Sequence, residues 1–324
     1  MSDNGTRSTN GVSWADEEQL LRIAWYYYVD ELTQDEIAKR MSISRASAGR
    51  LLERCRTLGL VNFSIQSQHY DAFRYSRELR EKYGLREAVV VPDGIVSDDP
   101  GALNKRLGRG VAQYLQSRLK DGETLGVGWG ETVGYALAAL TPNSVSSVQL
   151  VTLTGGAGMY FRSWMGLRSF THGPQVPDGV IPAPIVTTTP ELAEGLYSEP
   201  AVKEVLAMAA SSDHAVIGIG AVSGLPTLVQ VRYVTDTELG EIADAGGVGD
   251  VLGEFYDADG NFIDVPIHGR RIGISAADLK QIPNVVAAAG GVEKVPAIKG
   301  ALRGGFIDAL VTDEAAAKVL VSGD

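Results

Sequence analysis

Between Leu32 and Val61 the apolar positions recur at helical spacing twice, separated by one short break. Ile37, Ala38 and Met41 share a face of the first predicted helix. Thr33 is placed to cap that helix, and Glu36, three residues on, completes a capping box. Ser42-Ile43-Ser44 interrupts the pattern, and Ser44 is a favourable N-cap for a second helix. Ala48, Leu51, Leu52 and Cys55 form the inner face of that second helix. Ahead of the pair, Asp16 to Val29 is predicted helical, with Leu20, Ile23, Ala24 and Tyr27 on its apolar face. Behind it, Val61-Asn62-Phe63-Ser64-Ile65 alternates apolar with polar and predicts a short strand, hence a winged type of helix-turn-helix. Asp71 to Tyr83 is a charged helical segment that stops at Gly84.

From Arg86 onward the pattern changes. Short apolar runs at 87–91, 123–127, 148–153, 214–220, 284–289 and 309–312 read as strands. Amphipathic stretches at 104–119, 131–139, 202–210, 278–282, 294–303 and 314–321 read as helices. Strands alternating with helices predict an α/β fold on a layered, largely parallel sheet, Rossmann-like in plan. The expected organisation is a disordered polar tail at 1–13, a helix-turn-helix domain at 14–69, a linker helix at 70–84 and an α/β domain at 85–324.

Composition narrows the function classes. The 324 residues suit about two domains. The 44% hydrophobic fraction is enough for a sizeable core. A formal net charge of −11 argues against a protein that coats nucleic acid, so any DNA contact must be local. Cys55 is the only cysteine, which excludes an intrachain disulfide and suits a reducing cytoplasm. No apolar run is long enough for a membrane span, no signal peptide is visible, and cytoplasmic location is expected. His69, His172, His214 and His268 are scattered without metal-ligand spacing, so no metal is expected.

Against the acidic background, Lys39, Arg40, Arg45, Arg50, Arg54 and Arg56 face Glu53 alone between positions 39 and 56. A solvated helical hairpin with ordinary surface charge is the bland alternative. The local charge reversal favours phosphate contact instead. A helix that opens with small residues and arginines fits a major groove, where arginine reads guanine edges and serine serves several bases. The candidate DNA contacts are Thr33, Gln34, Ser44, Arg45, Ala46, Ser47, Arg50 and Arg54. The run Trp25-Tyr26-Tyr27-Tyr28 reads as core or subunit contact in preference to a base-stacking platform.

Three predicted strand-to-helix junctions are glycine-rich: Gly128-Trp129-Gly130-Glu131-Thr132, Thr154-Gly155-Gly156-Ala157-Gly158 and Gly290-Gly291-Val292-Glu293-Lys294. In open α/β sheets ligands bind at the carboxyl ends of the strands, and glycine lets backbone amides approach an anion. Each junction alone is equally an ordinary tight turn. The dinucleotide fingerprint and the phosphate-loop Gly-Lys-Ser/Thr are both missing, so neither NAD nor ATP is expected and no cofactor is assigned. Lys294, near a predicted helix start, would pair with a phosphate or form a Schiff base with an aldehyde sugar. Its alternative is a solvated lysine. Asp250 would accept hydrogen bonds from sugar hydroxyls, or else is a turn residue among glycines.

The stretch LTQDEIAKRMSISRASAGRLLERCRTLGLV, preceded by WYYYVDELTQ, resembles the helix-turn-helix of the SorC family of sugar-responsive bacterial transcriptional regulators. AAAGGVEKVPAIKGALRGGFIDALVTDEAAAKVL is similar to that family's C-terminal signature, "GG-x-x-K-x-x-AI" followed by "L-x-TDE-x-x-A". GGVGDVLGEFYDADG and LGVGWGETV resemble two further signatures. The resemblance implies an effector domain related to sugar-phosphate isomerases and glucosamine-phosphate deaminases, a pocket for a phosphorylated sugar or similar metabolite, and assembly into homodimers or homotetramers on operator DNA. By position it assigns the pocket to Gly128, Trp129, Gly130, Thr132, Thr154, Gly155, Gly156, Asp250 and Lys294, with Arg232 and Arg271 as weaker phosphate candidates. The segment MYFRSWMGLRSFTHGPQVPDG departs from the family pattern. The expected function is regulation of a carbohydrate-related operon without catalysis. The alternative is a sugar-phosphate isomerase or deaminase-like enzyme with an appended DNA-binding unit.

Overall fold

The computed structural model describes residues 14–61, 70–92, 101–140, 147–158, 160, 179–223 and 227–323. The chain divides into two compact units, Met1–Ser67 and Gln68–Asp324.

The first unit holds α1 (Trp14–Tyr28), α2 (Gln34–Met41) and α3 (Arg45–Thr57). Leu20, Ile23 and Ala24 of α1 meet Ile37 of α2 and Ala48, Leu52 and Cys55 of α3 in one buried cluster. Leu51, expected on the inner face, is half-buried at its margin. The Cys55 thiol donates to the Leu20 carbonyl at 3.2 Å, so the lone cysteine ties α3 to α1. The capping box is present: the Glu36 amide donates to Thr33 Oγ1, and the Thr33 amide donates to the Glu36 carboxylate at 2.8 Å. Ser42 ends α2 with φ +57, and Ser44 Oγ caps α3 by accepting from the Ser47 amide at 3.1 Å. The tail at 1–13 and most of the strand expected at 61–65, on which the winged type rests, lie outside the described residues.

The second unit begins with α4 (Tyr70–Tyr83). The segment expected as a linker helix packs into this unit. Ala72, Tyr75 and Leu79, at helical spacing, are buried in the main core, and the Tyr83 hydroxyl donates to the Leu320 carbonyl at 3.0 Å. Its charged residues lie on the opposite face and masked this anchoring role in the sequence.

The succeeding elements are β1 (Glu87–Val91), α5 (Ala102–Gln116), β2 (Thr124–Val127), α6 (Glu131–Ala139) and β3 (Gln149–Thr152). Then come α7 (Pro190–Ser198), α8 (Pro200–Ala210), β4 (His214–Gly218), β5 (Gly220–Ala221), α9 (Thr227–Gln230) and α10 (Asp236–Asp244). The rest are β6 (Gly249–Val251), β7 (Glu254–Tyr256), α11 (Ala276–Leu279), β8 (Val285–Ala288), α12 (Val295–Arg303), β9 (Ala309–Asp313) and α13 (Glu314–Ser322). A six-stranded sheet runs β1-β9-β8-β4-β2-β3, and every pairing in it is parallel. Parallel sheets need cover on both faces. Residues of α5 and α6 pack on one face, and residues of α4, α8, α12 and α13 pack on the other. Gly108 permits the close α5–α6 approach, because a Cβ there would lie 2.6 Å from Tyr135 Cβ. The fold is thus α/β on a parallel sheet.

One addition was not anticipated. β5, β6 and β7 form a small antiparallel sheet, and α10 follows a Thr235–Glu238 capping box. Leu252 (φ +53) and Gly253 (φ +82) make the two-residue hairpin between β6 and β7.

The amino ends of the central strands are locked by a buried polar chain. Tyr114 OH donates to Asn284 Oδ1 at 2.6 Å, Asn284 Nδ2 donates to His214 Nδ1 at 2.7 Å, and His214 Nε2 meets Glu123 Oε2 at 3.0 Å. His214 thus joins Asn284 to Glu123 through its two ring nitrogens. Replacing Asn284 by Ala leaves the Tyr114 hydroxyl and the His214 Nδ1 without their partner, while His214 Nε2 keeps Glu123. Urea unfolding should show a loss of about 2–3 kcal/mol, the usual cost of orphaning buried polar groups.

Candidate functional site

Two sets of side chains carry chemistry, one in each unit. In the first, Arg45, Ala46, Arg50 and Arg54 are exposed along α3, and Ser47 is half-buried beside them. Ser44 Oγ and Ser47 Oγ are 2.9 Å apart, and Arg50 Nη2 donates to Ser47 Oγ at 3.2 Å. Arg45 Nη1 is 3.6 Å from Asp35 Oδ2, with both side chains well exposed. Such a pair contributes little and is easily exchanged for a phosphate or a base. Gln34 opens α2 facing Gly49 of α3: a Cβ there would be 3.7 Å from Gln34 Oε1. Arg56 differs from its neighbours, because its Nε donates to Tyr28 OH at 2.9 Å and braces α1. The tyrosine run serves this unit's own packing, with Tyr27 and Tyr28 in edge contact at 4.9 Å. Trp25 of that run is exposed.

In the second unit the strand order reverses around β2, since β3 lies on one side of it and β4 on the other. Crevices open at the carboxyl ends of strands where such a reversal occurs. The predicted glycine junctions gather along this edge, and they play different parts. Gly130 enters α6 at φ +133 and offers no side-chain cap, so the first-turn amides of α6 remain available to an anion. Thr132 Oγ1 donates to Asn104 Oδ1 at 3.0 Å, and Asn104 Nδ2 donates to Glu131 Oε2 at 2.9 Å, joining the first turns of α5 and α6. The Gly128 amide is taken by the Val216 carbonyl at 2.7 Å. Trp129 packs against two hydrophobic clusters and bridges the main sheet to the small one.

The Thr154-Gly155-Gly156 junction is a backbone crossing, not an anion cradle. The Gly155 amide donates to the Ile272 carbonyl at 3.0 Å, and the Gly156 amide donates to the Ala183 carbonyl at 2.8 Å. A Cβ on Gly155 would overlap the carbonyl oxygens of Pro184 and Ala183. Thr154 Oγ1 is buried 3.0 Å from Tyr160 OH, and that hydroxyl donates to the Val127 carbonyl at 3.1 Å. At the third junction the Gly291 amide, on a residue at φ +91, donates to Asp313 Oδ1 at 2.8 Å.

Asp250 sits on β6, not in a turn, opposite Gly220 of β5. Only glycine fits at Gly220, because a Cβ would run into the Asp250 carboxylate. Asp250 Oδ2 accepts the Gly253 amide at 3.0 Å. Burial pushes this carboxyl up to about 6, against the opposing pull of that hydrogen bond, Lys294 and Arg271. Lys294 ends a short 3-10 turn, Val292–Lys294, and its Nζ donates to the Ile219 carbonyl at 3.2 Å. Burial lowers its affinity for the proton, and Asp250 and Glu293 act in the opposite sense. The structure therefore places Asp250 and Lys294 as an electrostatically coupled pair beyond the end of β4.

The two weaker arginine candidates fare differently. Arg271 is buried and committed to the Leu252 carbonyl (3.3 Å), the Ile274 carbonyl (2.7 Å) and the Glu254 carboxylate, so it is a structural cation. Arg232 is exposed, at φ +62. Asn104 and Asp313 were missed in the sequence, since neither lies in a glycine-rich stretch. The atypical segment Met159–Gly179 lies almost wholly outside the described residues, with only Tyr160 and Gly179 placed.

A small helical unit with a basic exposed helix, followed by an α/β unit with glycine-rich junctions at a strand-order reversal, is the arrangement of a DNA-binding regulator with a ligand-binding domain. Residues 67–322 match the family model described as "Putative sugar-binding domain". Transcriptional regulator LsrR of Klebsiella pneumoniae is 37% identical over 316 residues, covering 96% of this chain and 95% of the relative. LsrR of Escherichia coli K12 is 38% identical over 310 residues, covering 94% and 95%. The full-length sorbitol operon regulator SorC of Klebsiella pneumoniae superposes with a TM-score of 0.71 at 26% identity, covering 95% of this chain and 99% of that one. The chain belongs to the SorC family of sugar-responsive transcriptional regulators. It is a DNA-binding regulator of carbohydrate-related genes.

The elevated Asp250 carboxyl has a consequence for stability. Its ordinary value is 3.8, so between about pH 4 and pH 6 the folded chain holds a proton that the unfolded chain has released. Stability from this group is therefore highest below about pH 4, falls as pH rises to about 6, and is level above that. A shift of about two units corresponds to about 3 kcal/mol at most. In Asp250→Asn this fall should be missing, so the stability difference between variant and parent, by chemical denaturation, should grow in the variant's favour from about pH 4 to 6.

Proposed function

We propose that the α/β unit binds a phosphorylated sugar at the carboxyl edge of its sheet and that this binding controls how the α3 helices read an operator. The observation that carries the reading is that the uncapped first turn of α6 and the Asp250–Lys294 pair lie beyond the carboxyl ends of the neighbouring strands β2 and β4, at one strand-order reversal. An anion is served by amides and a helix dipole at the first, and sugar hydroxyls by a carboxylate at the second. The Lys294 ammonium supplies charge to either. Among the pocket residues assigned by resemblance, Gly130, Thr132, Asp250 and Lys294 are proposed to touch the ligand. Gly128, Trp129, Thr154, Gly155 and Gly156 are proposed to shape the crevice.

The protein acts as a cytoplasmic homodimer or homotetramer, because one small reading unit gains affinity and site length by pairing. The ligand shifts the population of subunit arrangements and hence the spacing of the reading helices. It works without turnover. The enzyme alternative needs an acid and a base poised on a substrate. Asp250 and Lys294 are engaged with the Gly253 amide and the Ile219 carbonyl, which counts against their acting as a free acid and base on a substrate. A turnover assay on a panel of sugar phosphates tests this directly, and a product would sink the non-enzymatic reading.

Arg45→Ala and Arg50→Ala should each weaken operator binding and relax sequence preference, at a cost of about 1–3 kcal/mol per lost base contact. Arg54→Ala should weaken binding to all sequences alike and reduce its salt dependence. Gel-shift titrations on operator and scrambled duplexes distinguish the two effects, and parental operator affinity in both Arg45→Ala and Arg50→Ala would remove the assignment of α3.

Lys294→Ala should keep its fold and its DNA binding but respond poorly to the sugar phosphate, losing roughly 1.5–3 kcal/mol of a charge-assisted contact. Lys294→Arg should respond partially if the contact is an ion pair. Complete loss in Lys294→Arg, with a borohydride-trapped adduct in the parent, would indicate a Schiff base instead. Calorimetry showing parental affinity in Lys294→Ala would end the claim.

A further inference from the structure

The glycine-rich junctions supply amides and one ammonium, but a phosphate in a crevice of this kind also calls for a guanidinium. Neither arginine suggested by the sequence serves: Arg271 is committed to the Leu252 and Ile274 carbonyls and the Glu254 carboxylate, and Arg232 is a surface residue. A third arginine is placed differently. Arg106 lies near the start of α5, and its Nε is enclosed without a hydrogen-bond acceptor among the described residues. Enclosed N–H groups of charged side chains are nearly always satisfied, so this one needs an explanation.

Its position follows from the packing of α5. Leu107 lies against Gly290, just beyond the end of β8, with its Cδ1 3.0 Å from where a Cβ on Gly290 would stand. Tyr114 bonds Asn284, just before the start of β8. α5 therefore runs antiparallel to the strands, with its first turns at their carboxyl ends. Gly110 packs on Val91 and Val311, each with a Cγ1 3.0 Å from its Cβ position. Arg106 is one turn earlier on the same face, over the carboxyl ends of β1 and β9. Asn104, two residues before it, lies on the opposite side of the helix, where it holds both Glu131 and Thr132 at the first turn of α6. Arg106 thus stands at the carboxyl edge of the sheet over β1 and β9, one residue before the Leu107 that packs on the Gly290-Gly291 junction.

We infer that Arg106 is the arginine that pairs with the phosphate of the effector, its enclosed Nε awaiting a ligand oxygen. The inference rests on the proposed reading of the crevice as a phosphorylated-effector site. A guanidinium gives two directed N–H bonds to one phosphate, which an ammonium does not. The competing explanation is neutralisation of Asp313, the buried carboxylate at the end of β9 whose Oδ1 already accepts the Gly291 amide.

The test uses the full chain, with inorganic phosphate and a panel of pentose and hexose phosphates as probes. Thermal shift first identifies the probes that raise the parent's Tm, and calorimetry then compares parent, Arg106→Gln, Arg106→Lys and Lys294→Ala. Arg106→Gln should keep the parental Tm without ligand and bind the active probe roughly ten- to a hundredfold more weakly. Arg106→Lys should fall between the two. Parental affinity in Arg106→Gln, alongside weakened binding in Lys294→Ala, would overturn the role of Arg106 and leave the crevice reading standing. A marked Tm loss in unliganded Arg106→Gln that Asp313→Asn reverses would make Arg106 a structural counter-charge and overturn the inference. If no probe shifts the parent, the crevice reading falls, and the role of Arg106 with it.

Discussion

An all-parallel sheet dictates most of what this molecule can do. Parallel strands are joined only by crossovers, and each crossover helix returns over a face of the sheet. Every strand then ends at the same edge, and helices begin at that edge with their amides unpaired. Both faces are consumed by packing, with α5 and α6 on one side and α4, α8, α12 and α13 on the other. The carboxyl edge is left as the place where polar groups can meet a ligand. The amino edge is closed instead by the Tyr114–Asn284–His214–Glu123 chain. The two ends of one sheet therefore divide the labour: one holds the strands in register, and the other remains chemically open.

Glycine at that open edge has two incompatible uses, and the structure separates them. At Gly130 the backbone turns into α6 with φ +133 and leaves the amides of the following turn uncapped. At Gly155 the same residue type lets two chain segments cross so closely that its amide is spent on Ile272. The sequence shows both as glycine beside a predicted strand end. Which use applies depends on residues far along the chain, Ala183, Pro184 and Ile272, whose approach no local pattern encodes. The same limit explains Arg271. Its charge is visible in the sequence, whereas its commitment to Leu252, Ile274 and Glu254 is a product of folding.

Legibility elsewhere follows the strength of local signals. The α2–α3 hairpin was readable almost to the residue, because capping groups and helical periodicity agreed at Thr33, Glu36 and Ser44. The strands of the main sheet were readable as continuous apolar runs, as buried parallel strands are. The small sheet was not, because β5, β6 and β7 are two or three residues each and are defined by pairing partners. Asp250 consequently read as an acceptor for sugar hydroxyls or else a turn residue, with nothing to show that it is a strand residue opposite Gly220. α10 also escaped notice, although Thr235 and Glu238 form a capping box of the same kind as Thr33 and Glu36. α4 was visible as a helix but not as part of the core, since its charged face dominates the composition while Ala72, Tyr75 and Leu79 do the anchoring.

Charge placement links the two halves of the function. The chain is strongly acidic overall, yet α3 carries the exposed arginines Arg45, Arg50, Arg54 and Arg56 within about three turns, a local concentration of positive charge that suits a polyanion. In the crevice the arrangement is inverted: the Lys294 ammonium is largely enclosed and already has Asp250 as a counter-charge. Under the proposed reading an incoming phosphate competes with that carboxylate for the ammonium, and it disfavours the ionised form of Asp250 as it does so. A carboxyl poised near 6 can respond by taking up a proton, whereas one at its ordinary 3.8 would remain ionised and repel the ligand. Burial of Asp250 beside Gly220 thus costs stability in the empty protein and lowers the electrostatic barrier to an anion. The hairpin that supplies Asp250 and the 3-10 turn that supplies Lys294 belong to separate elements. A ligand that alters the balance between these two charges therefore acts on the packing of both elements at once, which is the physical requirement for a binding event to be felt beyond its own site.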